Sequence, residues 1–170
     1  MVKLSFAAKP YLKNLNFGSL STLLATWFGC GLIQPGPGTW GTIGGLPFAV
    51  FFYVIGGPGL LLLAALAIIP VGLWATKKFE EATKTSDADE IVIDEVAGVW
   101  IALLPAGLNP FLFVAAVILF RIFDIWKPWP IGWADENIKG KWGVMLDDTI
   151  AGVITAILLF IVGDYVKPGL

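Results

Sequence analysis

A chain of 170 residues that is 57% hydrophobic and 14% charged, with a mean hydropathy of +0.81, has too few charges to coat a water-soluble surface. Its formal net charge of −2 gives no footing for a polyanion, so no nucleic-acid partner is expected, and its apolar content excludes a disordered chain or a coiled coil. Histidine is absent, Arg121 is the one arginine and Cys30 the one cysteine. These absences exclude a Ser-His-Asp triad, a histidine-nucleophile phosphatase, a His-ligated zinc site and an internal disulfide. With no arginine near Cys30, a Cys-x5-Arg phosphatase is excluded too. Chemistry is left to carboxylates, lysines, Arg121, hydroxyls or a metal.

Along the chain, MVKLSFAAKP has no apolar run before Pro10, so no cleaved leader is expected. Residues 15–33 read as an interfacial or half-inserted helix. Pro35-Gly36-Pro37-Gly38-Thr39-Trp40-Gly41-Thr42, followed by Gly44-Gly45, is a glycine-rich loop entering a helix. Such a loop can aim backbone N–H groups at a phosphate, and Thr39 and Thr42 add hydroxyls. No Gly-Lys-Ser/Thr follows, so it is not a Walker loop. Taken alone, the segment reads as a Pro/Gly loop capping the next helix.

Apolar limbs follow at 39–55 and 60–76, broken by Gly56-Gly57-Pro58-Gly59, and at 91–104 and 110–126, broken by Pro105 to Pro110. Proline and glycine punctuate helices, so each pair reads as a helical hairpin, with Pro47 kinking the first limb. A fifth limb covers 149–163. A hydrocarbon core of about 30 Å needs about 20 helical residues, so these limbs are marginal spans. The expected fold is all-α: one membrane-embedded domain over 1–170, a bundle of about four to five short transmembrane or re-entrant helices.

Charges fall in islands at 1–16, 77–95 and 121–148, with Asp164 and Lys167 outside them. If both hairpins cross the membrane, the islands share one face. That face then holds every basic residue except Lys167, and the positive-inside rule makes it cytoplasmic. Asp94-Glu95-Val96-Ala97-Gly98-Val99 is echoed by Asp148-Thr149-Ile150-Ala151-Gly152-Val153. Small residues let membrane helices approach, so a real repeat would pack these helices together and bring Asp94 near Asp148.

Asp94 and Glu95 open one limb, Arg121, Asp124 and Lys127 close another, and Asp147 and Asp148 open the last. Ionisable groups beside membrane helices are costly and face cavities or partners. Five carboxylates from three limb ends suit a hard cation such as Mg²⁺. The same acids also suit helix N-caps and first turns, and Arg121–Asp124 suits an i,i+3 ion pair. Adjacent acid pairs exceed what capping needs. Asp87-Ala88-Asp89 resembles an acidic nucleophile motif, but no hydrophobic strand precedes it, and it reads as a solvated loop.

Three blocks carry a resemblance to a known family. They are Phe28-Gly29-Cys30-Gly31 through Pro37-Gly38-Thr39-Trp40-Gly41-Thr42, then Ile91-Val92-Ile93-Asp94-Glu95-Val96-Ala97-Gly98, then Phe120-Arg121-Ile122-Phe123-Asp124-Ile125-Trp126-Lys127-Pro128-Trp129-Pro130-Ile131. The third continues through Gly143-Val144-Met145-Leu146-Asp147-Asp148 to Ala151-Gly152. Together they resemble the phosphatidylglycerophosphatase A family, membrane enzymes of bacterial phospholipid synthesis. Ala88 and Lys141 depart from that pattern, where proline and glycine are frequent.

The resemblance implies Mg²⁺-dependent hydrolysis of the terminal phosphate monoester of phosphatidylglycerophosphate, giving phosphatidylglycerol. It also implies a multi-pass protein of the bacterial cytoplasmic membrane with its site on the cytoplasmic face. The expected roles are metal binding by Asp94, Asp124, Asp147 and Asp148, and catalysis by Glu95, Asp124 and Asp148, with Asp124 a ligand or a covalent nucleophile. Phosphate binding is expected at Gly38, Thr39, Thr42, Arg121 and Lys127. The alternative is a small cation-binding membrane transporter, which would place its acids mid-helix.

Overall fold

The computed structural model describes residues 3–4 and 9–166; expectations placed on Lys167, and on the side chains of Lys3 and Asp164, lie outside the described residues. The described chain is mostly helical. Its helices are α1 (Leu20–Ala25), α2 (Pro37–Thr83), α3 (Ile93–Ala102), α4 (Pro110–Trp126), α5 (Ile131–Asn137) and α6 (Lys141–Val166). A small departure from all-α is an antiparallel two-residue ladder, β1 (Lys3–Leu4) on β2 (Ile33–Gln34).

The region read as one interfacial helix is broken. Ser19 caps α1 by accepting from the Thr22 amide at 3.3 Å. The helix then stops at a run of left-handed residues, Trp27, Phe28 and Gly29, which no α-helix can carry. Ala25, Trp27 and Leu32 are buried, so this segment packs inward as short turns.

The 47 residues of α2 are two limbs. Gly56 and Gly57 leave helical geometry, Gly57 with φ 64°, and the chain folds back there. A Cβ on Gly41 would lie 2.5 Å from the Val92 Cβ, and one on Gly72 would lie 3.5 Å from Ile93 Cγ2. In a continuous helix Gly41 and Gly72 would stand about 45 Å apart, yet both touch the same end of α3. The first hairpin is therefore present.

A close approach at Gly45 lets the Trp100 indole donate to the Gly45 carbonyl at 2.9 Å. Trp27, Phe52 and Trp100 stack edge to face around it.

The second hairpin is uneven. Asn109 caps α4 by accepting from the Phe111 and Leu112 amides, with Pro110 in the first turn. The expected limb 91–104 reduces to the 10 residues of α3. That is about 15 Å of helix, half a hydrocarbon core, because α3 starts at Ile93 and the chain turns at Leu103, two residues before Pro105.

Two helices, Pro37–Thr83 and the Lys141–Gly163 part of α6, are long and apolar enough to cross a membrane. Large apolar side chains stand exposed on α2, α4 and α6, among them Val54, Leu63, Phe111, Ile118 and Phe160. An apolar surface of that extent suits lipid rather than water.

The last helix starts earlier than its apolar limb. Gly140 turns the chain at φ 64°, and α6 winds from Lys141. Asp147 and Asp148 thus lie two turns inside α6, not at its start. This removes the N-cap reading for both.

Candidate active site

The weak internal repeat is a packing interface. A Cβ on Gly152 would fall 2.3 Å from the Gly98 carbonyl oxygen, and one on Gly98 would fall 2.6 Å from the Asp148 carbonyl oxygen. Only backbones without side chains approach this closely. The two helices meet at the glycines, and the acids four residues before each glycine meet as well. Carboxylate oxygens of Asp94, Glu95 and Asp148 lie within 4.8 Å of one another.

These acids open into a cavity of about 300 Å³ that Gly38, Arg121, Asp124, Lys127 and Asp147 also line. The acidic loop contributes Asp87, Ala88 and Asp89 to its rim. Asp87 and Asp89 are exposed, as a solvated loop requires.

Two cations enter this acidic ring, and each is already engaged. Arg121 pairs with Asp124 one turn along α4, lies 4.0 Å from Glu95, and reaches the Thr42 hydroxyl at 3.5 Å. Lys127 closes α4 in a left-handed conformation at φ 46°. Its Nζ donates to Asp147 at 2.8 Å and to Asp135 at 2.6 Å. Burial disfavours the Lys127 charge, but those two hydrogen bonds outweigh it and hold its pKa above the ordinary lysine range.

Asp124 and Asp147 therefore have close cationic partners and Glu95 has Arg121 at 4.0 Å, whereas Asp94 and Asp148 have no cation paired with them among the described residues, and all three of Asp94, Glu95 and Asp148 are crowded together. Glu95 Oε2 and Asp148 Oδ1 are buried with no hydrogen-bond partner among the described residues. Buried carboxylate oxygens without partners are expensive. A hard divalent cation with oxygen ligands fits the set.

The glycine-rich segment contributes unequally. Gly38 approaches the acids so closely that a Cβ there would fall 2.1 Å from Glu95 Oε1 and 3.2 Å from Arg121 Nη1. Thr42 is buried, donates to the Gly38 carbonyl at 2.9 Å and meets Arg121, so it positions the guanidinium. Thr39 is exposed in the first turn of α2 and is not among the residues lining the cavity.

Two participants carry no local sequence signal. Asp135 on α5 shares Lys127. Glu90, fully buried, is held by Lys9 at 2.9 Å and by the Tyr11 hydroxyl at 2.9 Å. Lys9 also pairs with Asp89 at 2.6 Å. Partners some 80 positions apart in sequence are found by folding, not by spacing.

Known proteins resemble this chain over most of its length. The family model described as phosphatidylglycerophosphatase A matches residues 23–163. The chain is 38% identical over 149 residues to phosphatidylglycerophosphatase A of Escherichia coli strain K12, covering 87% of this chain and 86% of that one. It is 35% identical over 150 residues to phosphatidylglycerophosphatase A of Haemophilus influenzae, covering 88% and 92%. A Bacteroides thetaiotaomicron relative, 37% identical over 147 residues and covering 82% and 91%, bears the provisional name phosphatidylinositol-3-phosphatase. No solved structure matches the chain. The transporter alternative finds no support in these relatives, which are named as phosphatases. The paired acids, the lone arginine and the glycine loop converge where the family match runs, and the chain belongs to the phosphatidylglycerophosphatase A family of phosphatases.

Proposed function

We propose that the chain hydrolyses the terminal phosphate of phosphatidylglycerophosphate at a membrane surface, with Mg²⁺ as cofactor. One observation carries this reading: Arg121 and Lys127 border the same cavity as the three crowded acids Asp94, Glu95 and Asp148. A phosphate monoester needs cationic donors for its oxygens and a hard cation for its charge. This cavity offers both. The relatives' names supply the lipid.

Asp94, Glu95 and Asp148 would hold the Mg²⁺. When bound, that ion neutralises charge on the phosphoryl group. Arg121 leaves its contact with Asp124 to grip phosphate oxygens, a planar fork suited to that task. Lys127 supplies a second positive charge from its perch between Asp135 and Asp147. Asp124, freed from Arg121, stands beside the transferring group and either takes a proton from the attacking water as the bond from phosphorus to the glycerol oxygen breaks, or itself attacks phosphorus and expels that oxygen, after which water hydrolyses the aspartyl-phosphate. In both routes the glycerol oxygen leaves with a proton and becomes the hydroxyl of the product lipid. Gly38 leaves room for the phosphate beside Glu95.

For the membrane, both hairpins and α6 embed, with α3 inserted only halfway. The charged islands then lie on the cytoplasmic face of a bacterial inner membrane. A lipid substrate accounts for a polar cavity at that depth. The transporter reading has the acids inside α6 in its favour but nothing to account for Arg121 and Lys127 beside them.

The test is phosphate release from phosphatidylglycerophosphate by purified protein in lipid–detergent micelles. Release with Mg²⁺, its loss with EDTA and its return on adding Mg²⁺ back are expected. Absence of release, or release indifferent to EDTA, overturns the assignment. Phosphatidylinositol 3-phosphate in a parallel reaction shows which headgroup the cavity prefers.

A further inference from the structure

A shallow trough runs down the outer face of α4, lined by Val117, Ile118, Arg121, Ile122, Ile125 and Trp126. Two of these residues, Arg121 and Ile125, also line the polar cavity. The trough and the cavity are therefore neighbours, meeting across one turn of α4. Ile118, Ile122, Ile125 and Trp126 are exposed, Ile125 at 71% and Trp126 at 79%. The spacing 118, 122, 125 is that of one helix face. Trp126 stands at the charged end, where an indole suits the boundary between headgroups and tails. The trough is apolar along its length, and Arg121 and Ile125 join it to the polar cavity, so tail-like and headgroup-like surroundings meet there as they do in a phospholipid.

We propose that the trough is the tail subsite for the lipid phosphate: one acyl chain lies along Val117–Trp126 while its headgroup phosphate reaches Arg121. The inference rests on the phosphatase reading above and adds where the diacylglycerol part of the substrate sits. The geometry also sets the route. The lipid enters sideways from the bilayer, sliding its headgroup past Ile125 into the cavity. Among the described residues, two other apolar hollows, one beside Tyr53 and Phe160 and one beside Pro47 and Phe51, share no residue with the polar cavity.

The test compares two phosphatidylglycerophosphates, one dioleoyl and one dibutyryl, using the full chain in mixed micelles with Mg²⁺. In the double variant Ile118→Trp/Ile122→Trp, which fills the trough, KM for the dioleoyl substrate should rise about tenfold with kcat within about twofold. The dibutyryl substrate, too short to reach the trough, should keep its parent KM. The milder Ile118→Ala/Ile122→Ala should raise KM for the dioleoyl substrate about threefold, and it guards against misfolding of the bulkier variant. Leu63→Trp and Leu66→Trp, exposed on α2, should change neither substrate.

Equal behaviour of both substrates in the trough variants, or an equal loss in the α2 variants, overturns the proposal while the phosphatase reading stands. A parent protein that releases phosphate from neither substrate overturns both.

Discussion

Gly98 and Gly152 touch backbone to backbone, and this contact sets the distance between Asp94 and Asp148. A Cβ on Gly152 would lie 2.3 Å from the Gly98 carbonyl oxygen, with backbone rather than a movable side chain in the way. Gly152→Ala must therefore push α3 from α6. The expected loss is about 3 kcal/mol of stability, the upper end for overpacking, read as a lowered unfolding temperature in detergent. Gly59→Ala, with nothing within 4 Å of its Cβ, should leave that temperature unchanged.

Gly38 serves the site rather than the bundle. Its hypothetical Cβ meets the Glu95 carboxylate and the Arg121 guanidinium, and both side chains can swing. Gly38→Ala should therefore unfold at the parent temperature yet lose activity by about 100-fold. The paired readout separates it from Gly152→Ala, which should move both.

Asp135 acts through Lys127, at 2.6 Å from its Nζ, and is not among the cavity-lining residues. It is a positioning residue. Asp135→Asn should lower kcat/KM by about tenfold, and Asp135→Glu should recover part of it. Lys127→Met should cost about 100-fold. Adding Asp135→Asn to Lys127→Met should then do no further harm, because the group Asp135 positions is gone. An additive double variant refutes the role.

Much of this was legible in the sequence because it is local. The Gly56-Gly57 and Pro105-to-Pro110 breaks, the α4 limits and the Gly98/Gly152 echo depend on residues within a turn or two of one another. The α6 start was not legible: Lys141 to Asp148 mixes charge and glycine like a loop, and only burial of Val144 and Met145 makes it helix. Nor was the half-length of α3, since its turn at Leu103 lies in apolar sequence. Within the site, the acids and Arg121 stood out by type. Their division of labour did not. Which acid has a cation and which lacks one depends on α4 meeting α6, and Asp135 and Lys9 enter only through tertiary pairing.

Lys9 ties the N-terminal segment to the loop that leads into α3. It pairs with buried Glu90 at 2.9 Å and with Asp89 at 2.6 Å. Burial works against its charge, but hydrogen bonds to Asp89 and Glu90 prevail and hold its pKa above the ordinary range. A raised folded-state pKa stabilises fully below the unfolded value, about 10.4 for lysine, and that stability is lost as pH climbs through the folded value. Lys9→Met, which leaves Glu90 buried with Tyr11 alone, should lose about 2–3 kcal/mol at neutral pH. The gap between parent and variant, from unfolding curves at stepped pH, should stay constant to about pH 10 and narrow above it.

The three crowded acids Asp94, Glu95 and Asp148 predict a cation effect visible without substrate. Binding to the folded state raises stability by mass action, and closely packed carboxylates gain most from a divalent ion. Parent protein should unfold at a higher temperature in Mg²⁺ than in EDTA, whereas Asp148→Asn should show little or no such shift. In EDTA, removing Asp148's charge relieves repulsion from its neighbours, so Asp148→Asn should match or exceed the parent, while phosphate release is abolished. This pairing of greater apo stability with lost activity is the signature of an acid kept for its ligand rather than for the fold. An Asp148→Asn variant that is both less stable in EDTA and still stabilised by Mg²⁺ would instead place Asp148 in the structural framework, with the ion held elsewhere.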